Sequence, residues 1–369
     1  MLTATSTIIL KRKQTITVQE KKVKSEEIKN ILIIRDDHLG DLICSLPTIV
    51  ALRKHFSHSM ITIVVSESCR EIVENHPAID SVLVRIKKKR GFFSKTINFW
   101  ERIKLLHTIR KGKFDLVVAL RSRFCTRHAL MAAFSGAPLR LGHRSKKKKH
   151  VLLNGAFNIF PSHFNQEQHE LMRTHDIVKE IDVPLNEVVF GLQTKPEHDY
   201  TVSEFLETRG IREDHLIICY HVSASKPKKQ WPLENMVSLI NLVQNNYPDI
   251  FNVLTYDPFN SRHKDFLEQN LSGEIAVFES KEFMQLASLY RKCDVLVSLD
   301  GAPMHLGAAL GVPTLGIFEA ENTMYWAPWG EKNASISGRG EINSLLPEEV
   351  FEKLDKLIKT HALNKTKKL

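Results

Sequence analysis

Cysteine is scarce in this 369-residue chain, and its five cysteines are scattered. None has the CxxC spacing of a zinc site, and an odd, dispersed set does not make a disulfide framework. No apolar run approaches the roughly 20 residues that span a bilayer, and the first residues lack the apolar core of a secretory signal. These absences exclude a disulfide-stapled or membrane-spanning protein and predict a soluble chain in a reducing cytoplasm. The cysteines are Cys44, Cys69, Cys125, Cys219 and Cys293.

Several familiar nucleotide-binding motifs are absent as well. The sequence contains no P-loop and no GxGxxG, so a nucleotide would have to bind otherwise than in kinases or dehydrogenases. It also contains no RRM, KH, helix-turn-helix or zinc-finger pattern. We therefore expect no nucleic-acid partner, although the net charge is +10.

Positive charge is concentrated in the first half of the chain. Residues 1–195 carry a net charge of +16, whereas the remainder carries −6. The basic residues cluster in RIKKKRGFFSK (85–95) and RLGHRSKKKKH (140–150). Such asymmetry indicates that the first half faces an anionic partner.

The two basic clusters allow two interpretations. One is a pair of solvated lysine loops. The other is an anionic membrane surface, contacted by 85–100 and 140–150, because aromatic residues from Phe92 to Trp100 accompany the lysines. Basic residues attract lipid headgroups, and aromatic residues enter the interface.

Length and pattern predict two α/β domains. The chain exceeds one ordinary core, and short apolar runs alternate with helical segments. Residues 1–28 predict an extension, 29–195 a first domain and 196–369 a second, with a Gly- and Pro-containing linker over 186–200. The predicted strands are ILIIR, MITIVVS, SVLVRI, FDLVVAL and LRLG, then HLIICYHVSAS, FNVLTY, IAVF, DVLVSLD and TLGIF. Two doubly wound parallel sheets would face each other across a cleft at their carboxyl ends.

Three carboxylates stand between the first predicted strand and helix, in ILIIRDDHLGDLICSLP (31–47). Like-charged neighbours such as Asp36 and Asp37 raise a carboxyl pKa toward the value that a general base needs, and so does burial. For Asp37 and His38 we expect a local N-capping or turn role. Asp41 begins the helix, but from composition alone all three acids remain candidates.

Two strand-to-helix junctions in the second half suit phosphate groups. HVSASKPKKQWP (221–232) supplies Ser223, Ser225 and Lys229 after a strand, and hydroxyls with a lysine suit a pyrophosphate. In DGAPMH (300–305), small residues precede a helix whose free N–H groups and dipole favour an anion. A solvated turn and an ordinary structural junction are the alternatives.

Together these segments resemble glycosyltransferase family 9, the heptosyltransferases of lipopolysaccharide core assembly and their relatives. The resemblance covers most of the chain and rests on RDDHLGDLICSLPTIVALRKHF, HVSASKPKKQWPLEN and CDVLVSLDGAPMHLGAALGVPTLGIF, followed by W-x-P-W. It implies a GT-B fold, with two facing Rossmann-like domains that bind acceptor and nucleotide-sugar respectively. It also implies inverting transfer from ADP-heptose to an anionic glycolipid, the lipopolysaccharide core.

Carried over residue by residue, the resemblance makes Asp41 of the G-D motif the catalytic base. The predicted donor-binding residues are Ser223, Ser225, Lys229, Asp300, Gly301, Ala302, Met304 and His305. The predicted acceptor-binding residues are Gly40, Arg121 and Arg140, since a bidentate guanidinium suits carboxylate and phosphate. We expect no cofactor and no obligatory metal, because the donor-side lysine, hydroxyls and helix start would take the leaving-group charge.

The chain departs from the family pattern in the predicted donor pocket. Gly301 replaces a hydroxyl residue, Ala302 a glycine, and Glu319 the glycine that follows a phenylalanine; LTYDPFN (254–260) replaces a Gly-rich turn. Transfer from another nucleotide-sugar, such as a UDP-hexose, is therefore an alternative. A catalytically silent module that binds membranes or anions is another. For the enzyme we expect a peripheral position on the cytoplasmic face of the inner membrane.

Overall fold

The computed structural model describes residues 25–87, 94–162, 164–319 and 323–363. Most of the predicted N-terminal extension lies outside the described residues, as does the centre of the first basic cluster, 88–93. Residues Ser25–Glu27 form a single 3-10 turn, and Ile28 is buried just before the first strand.

The first sheet has five parallel strands. They are β1 (Asn30–Ile34), β2 (Met60–Ser66), β3 (Ser81–Arg85), β4 (Leu116–Ala119) and β5 (Leu139–Leu141). Their order in the sheet is β3-β2-β1-β4-β5, so that Ile33 of β1 pairs with Ile63 on one side and Val118 on the other. All five predicted strands are confirmed, with ends that differ by one or two residues.

The second sheet has six parallel strands in the order β11-β10-β9-β6-β7-β8. They are β6 (Ile217–His221), β7 (Phe251–Thr255), β8 (Ala276–Phe278), β9 (Val295–Leu299), β10 (Thr314–Phe318) and β11 (Ala334–Ser337). The five predicted strands of this half are confirmed. The sequence does not predict β11, because this half-buried edge strand reads ASIS and contains one large apolar residue.

Helices connect the strands and cover both faces of each sheet. They are α1 (Leu39–His55), α2 (Arg70–Val73), α3 (Ser94–Lys111), α4 (Thr126–Ser135), α5 (Glu170–Asp176), α6 (Pro196–Thr208), α7 (Leu233–Asn246), α8 (Ser261–Asn270), α9 (Phe283–Lys292), α10 (Ala302–Ala309), α11 (Thr323–Trp326) and α12 (Pro347–Leu357). The predicted linker over 186–200 is too long, because Pro196 already begins α6, a position that proline favours. The sequence analysis also misses α5 and α12. No helix among the described residues is long and apolar enough to cross a membrane.

Alternating side chains of β1 divide between two apolar layers. Leu32 and Ile34 pack with α3 and α4 on one face, whereas Ile31 and Ile33 pack with α1 on the other. The α1 layer continues across the cleft to Leu306 of α10, so the two sheets share a core where these helices meet. Such strands, buried on both faces, are typical of parallel sheets.

Both sheets reverse their strand order at one point, between β1 and β4 in the first and between β6 and β9 in the second. The loops that leave the carboxyl ends of these strands therefore diverge and open a crevice, which is where open α/β sheets bind ligands. The segment from Asp36 to Asp41, here called the acid turn, follows β1. The two phosphate-suited segments follow β6 and β9.

Candidate active site

Asp41 lies on the first turn of α1, at the edge of the cleft. Its backbone carbonyl accepts hydrogen bonds from the Arg35 guanidinium at 2.9 Å and the Ser45 hydroxyl at 2.8 Å. Its Oδ1 lies 3.4 Å from Arg35 Nη2, and the side chain remains 22% exposed. These contacts fix the start of the helix while the carboxylate stays accessible.

Gly40 allows α1 to approach α10 of the second domain. A Cβ at this position would lie 3.0 Å from His305 Cδ2 and 3.7 Å from the Cα of Ala302. Any side chain here would press against the His305 ring. The fold thus brings Gly40 and Asp41 together with Ala302 and His305, four residues that the sequence analysis assigns to the site.

The pKa of Asp41 is raised above its ordinary value. Burial is the main cause, and the charge of Asp37 adds to it, while Arg35, His38 and Arg121 oppose the shift. A carboxylate in such surroundings accepts a proton more readily than an exposed one, as a general base must. Of the two neighbouring acids, Asp37 is the one that contributes.

Asp36 is fully buried and points into its own domain. Its Oδ1 accepts hydrogen bonds from Arg127 Nη2 at 2.9 Å and His128 Nε2 at 2.7 Å, and Arg85 contacts Oδ2. Burial raises the pKa of Asp36, but the bonds from His128 and Arg127 outweigh it and hold the pKa well below its usual range. Asp36 therefore stays charged at physiological pH and holds these residues together.

The predicted N-capping by Asp37 or His38 is wrong, but the predicted turn role is confirmed. His38 occupies the N-cap position of α1, and its side chain makes no capping hydrogen bond. The Asp37 carboxylate lies 3.4 Å from Arg35 Nη1 and 3.6 Å from Arg121 Nε, while its carbonyl accepts from the Ser66 hydroxyl. Arg35 and Arg121 already bind the Asp37 carboxylate, which is therefore not available to cap α1.

The donor side begins with the loop that follows β6. Gln230 shapes this loop, since its side chain accepts from the Ala224 amide and donates to the Val222 carbonyl, both at 3.0 Å. Ser223 is buried, with its hydroxyl 3.1 Å from His263 Nδ1, whereas Ser225 is exposed.

Lys229 and Asp300 link the two donor-side segments. Lys229 Nζ lies 2.5 Å from Asp300 Oδ2, which joins the loop after β6 to the end of β9. Gly301 is the N-cap of α10 and has an extended backbone. Together these residues place an ammonium group beside the free N–H groups of a helix start, which suits a diphosphate.

His305 and Met304 point to different sides of α10. His305 is buried beside Cys44, with Nδ1 3.7 Å from Sγ, and burial with nearby His169 and Lys229 lowers its pKa to about 3. It is therefore neutral at physiological pH. Met304 is buried and packs against the sheet at Gly316 of β10.

The two predicted acceptor arginines lie in different places. Arg121 follows β4 and faces Asp37, next to the Asp41 carboxylate. The Arg140 guanidinium instead donates to the carbonyl oxygens of Ala137 and Ala156 within its own domain. Only Arg121 joins the cluster around Asp41.

Comparison with known proteins places this chain in a family. The family described as glycosyltransferase family 9 (heptosyltransferase) matches residues 102–354, more than half of the chain. The chain belongs to this family. The predicted membership and the predicted GT-B fold are confirmed, although the match begins after the acid turn.

Individual relatives of this family 9 chain are distant but cover it well. Lipopolysaccharide heptosyltransferase 3 of Escherichia coli K12 is 22% identical over 304 residues, 79% of this chain and 83% of the relative. A glycosyltransferase family 9 structure from Veillonella parvula superposes with a TM-score of 0.79 at 20% identity, covering 90% and 97%. E. coli heptosyltransferase WaaC with ADP gives 0.72 at 18%, covering 89% and 99%.

Some residues of this family 9 site escape the sequence analysis. Arg35 is fully buried and contacts Asp37, Asp41 and Glu170. Glu170 comes from α5, more than a hundred residues away in the chain, and no motif marks it. Its short helix follows an irregular stretch, so periodicity provides no signal. The available clue to Arg35 was its position in the sequence, directly before Asp36.

Proposed function

We propose that this family 9 chain is an inverting heptosyltransferase that extends the lipopolysaccharide core from ADP-heptose, with Asp41 as general base. The observation that carries the proposal is the position of Asp41: an accessible carboxylate with a raised pKa, held beside the helix start of the donor domain. The names of the relatives, lipopolysaccharide heptosyltransferases, support the substrate class.

The proposed reaction is a single displacement. An acceptor hydroxyl oxygen attacks the anomeric carbon of the donor sugar, and Asp41 takes the hydroxyl proton. The bond from that carbon to the phosphate oxygen breaks, and the nucleoside diphosphate leaves with the electron pair. Because attack and departure occur on opposite faces, the anomeric configuration inverts.

Stabilisation of the leaving group is assigned to Lys229, the Ser223 hydroxyl and the start of α10. Positive charge and oriented N–H groups, fixed before the reaction, stabilise the charge that develops on the diphosphate. These groups support a mechanism without an obligatory metal.

The departures from the family pattern lie in the predicted donor pocket and therefore bear on which nucleotide the donor carries. Glu319 pairs with Lys228 at 2.8 Å, which brings an acid close to the phosphate loop. The UDP-hexose alternative rests on this residue and on Gly301 and Ala302. A Cβ at Gly301 would make only ordinary contacts, so the missing hydroxyl is not a steric necessity.

A thermal-shift comparison of ADP, UDP and GDP tests the donor assignment. We expect ADP to raise the melting temperature by a few degrees at about 100 times its Kd, since a ligand stabilises the state that it binds. A larger shift with UDP would favour the UDP-hexose alternative. No shift with any nucleotide would favour the silent binding module.

A membrane position is also part of the proposal. Helix α3 exposes Phe99 (54%) and Trp100 (63%) beside exposed Arg102 and Lys104. Just after the second cluster, Leu152 is 96% exposed, near exposed Lys146 and Lys147, and the neighbouring Leu153 packs on the same sheet face as α3. Apolar tips within basic surroundings suit an anionic bilayer at the cytoplasmic face.

Vesicle sedimentation tests this membrane surface. We expect Trp100→Glu to reduce binding to phosphatidylglycerol vesicles by several-fold, because a charge replaces an interfacial aromatic ring. Tyr200→Glu, a change at an exposed aromatic residue of α6, is the matched control. Equal loss in both variants, or no loss in Trp100→Glu, would contradict the proposed surface.

A further inference from the structure

One buried guanidinium is shared by three carboxylates at the base of the active site. Arg35 is fully buried, and its Nη2 lies 3.4 Å from Asp41 Oδ1 and 3.4 Å from Glu170 Oε1. Its Nη1 lies 3.4 Å from Asp37 Oδ2. Asp41 and Glu170 therefore share the same nitrogen, and what one gains in ion pairing the other loses.

Glu170 is more deeply buried than Asp41. It is 1% exposed, whereas the Asp41 side chain is 22% exposed. Its other oxygen, Oε2, lies 3.3 Å from Nη1 of Arg173, on the same helix. Glu170 thus has no access to the cleft, and it reaches Asp41 through the Arg35 guanidinium that both contact.

The position of Glu170 is fixed from across the cleft. The preceding residue, His169, is the N-cap of α5, and its Nδ1 accepts a hydrogen bond from the Leu171 amide at 3.2 Å. Nε2 therefore carries the proton and donates to the Ala327 carbonyl of the second domain at 2.8 Å. The ring also lies against Trp329. The contact that joins the domains thereby orients the helix start that carries Glu170.

We propose that Glu170 is a positioning residue. It shares the Arg35 guanidinium with Asp41, so that Asp41 stays oriented toward the cleft and free to accept a proton. The inference rests on the proposed role of Asp41 as base. Without the Glu170 charge, Arg35 would bind Asp41 more strongly and make its carboxylate a weaker base.

Several charged groups set this balance. Around Asp41 they are Arg35, Asp37, His38 and Arg121. Around Glu170 they are Arg35, Arg173 and Asp41, with Ser122 as a hydrogen-bond partner. Burial raises the pKa of both carboxyls, and the charge of Asp41 raises that of Glu170 further. Without the Glu170 charge, Arg35 Nη2 would pair with Asp41 alone, and we expect the pKa of Asp41 to fall.

The test is the pH profile of kcat for Glu170→Gln, measured by nucleotide release from ADP-heptose in the presence of core acceptor. We expect the acid limb to move to lower pH and the plateau kcat to fall about threefold to tenfold, because a weaker base transfers the proton less readily. KM for the donor should not change, since Glu170 does not touch the donor site. Glu167→Gln, at an exposed acid just before α5, is the control and should match the wild type.

Two further variants separate the outcomes. Glu170→Asp keeps the charge and should keep the wild-type acid limb. This variant also tests the proposal if Glu170→Gln does not fold. A displaced acid limb in Glu170→Asp would overturn the positioning role. An unmoved limb in folded Glu170→Gln would overturn the positioning role and leave Asp41 as base. Wild-type turnover in Asp41→Asn would instead overturn the proposed function, and this inference with it.

Discussion

Asp36 and Asp41 are five residues apart, yet the two ends of the acid turn provide opposite environments. Asp36 faces two arginines and a histidine within its own domain and has a lowered pKa. Asp41 lies at the cleft, shares Arg35 with Asp37 and Glu170, and has a raised pKa. Burial disfavours both charges, so the difference comes from the number of partners that each carboxylate has.

This difference separates a structural role from a chemical one. A carboxylate with several donors is stabilised as an anion and has little tendency to accept a proton. Asp36 accordingly ties β3, through Arg85, to the start of α4, through Arg127 and His128. Asp41 is short of partners, and this deficit is what a general base requires.

Asp41→Asn is the change with the largest expected effect on activity. Loss of a general base lowers kcat by about 100- to 10,000-fold, because the acceptor proton has no group to receive it. The melting temperature should hold or rise, since the ionised form of Asp41 is disfavoured in the folded state. Initial rates and differential scanning fluorimetry measure the two effects.

The matched control is Asp249→Asn, at an exposed acid of the second domain, which should change neither quantity. If Asp41→Asn retained turnover within a few-fold of the wild type, the assignment of Asp41 as base would fail. The comparison with Asp36 would then have no chemical meaning.

Asp36→Asn should show the reverse pattern, a large loss of stability. It leaves Arg127, Arg85 and His128 without their shared anion, and removing one partner of a buried pair costs about 3 kcal/mol. We take the lower end of the range because the Arg127 side chain is 40% exposed. Urea denaturation measures the loss, and the part of the protein that remains folded should retain turnover.

The stability lost in Asp36→Asn should depend on pH in a definite direction. Because the folded-state pKa of Asp36 is lowered, its contribution to stability is complete above the unfolded value of about 3.9 and is lost as the pH falls below it. The difference between wild type and Asp36→Asn should therefore shrink in acid. A constant difference from pH 6 to pH 3 would show that the charge of Asp36 is not what stabilises the turn.

The sequence predicts the sheets well and the electrostatics of the site poorly, for a physical reason. Strands such as MITIVVS and TLGIF are recognisable because parallel strands buried on both faces need continuous apolar runs. The motif residues Asp41, Lys229 and Asp300 lie in segments that follow the carboxyl ends of β1, β6 and β9, where topology brings them together. Glu170, in contrast, meets Arg35 only through tertiary packing of a short helix, and no local pattern encodes that contact.

The smallest expected effect comes from Gly40→Ala, which alters the contact between α1 and α10 beside Asp41 and changes no charge. The added Cβ would lie 3.0 Å from His305 Cδ2, so the His305 ring or the helix that carries it must shift by a few tenths of an ångström. Since small misplacements weaken catalysis, kcat should fall about threefold to tenfold. Stability should change little, because Ala favours the helix and offsets the contact. Ala51→Gly, a matched exchange further along the same helix, should lower the melting temperature instead, and equal kcat losses in both variants would contradict a specific role for the Gly40 approach.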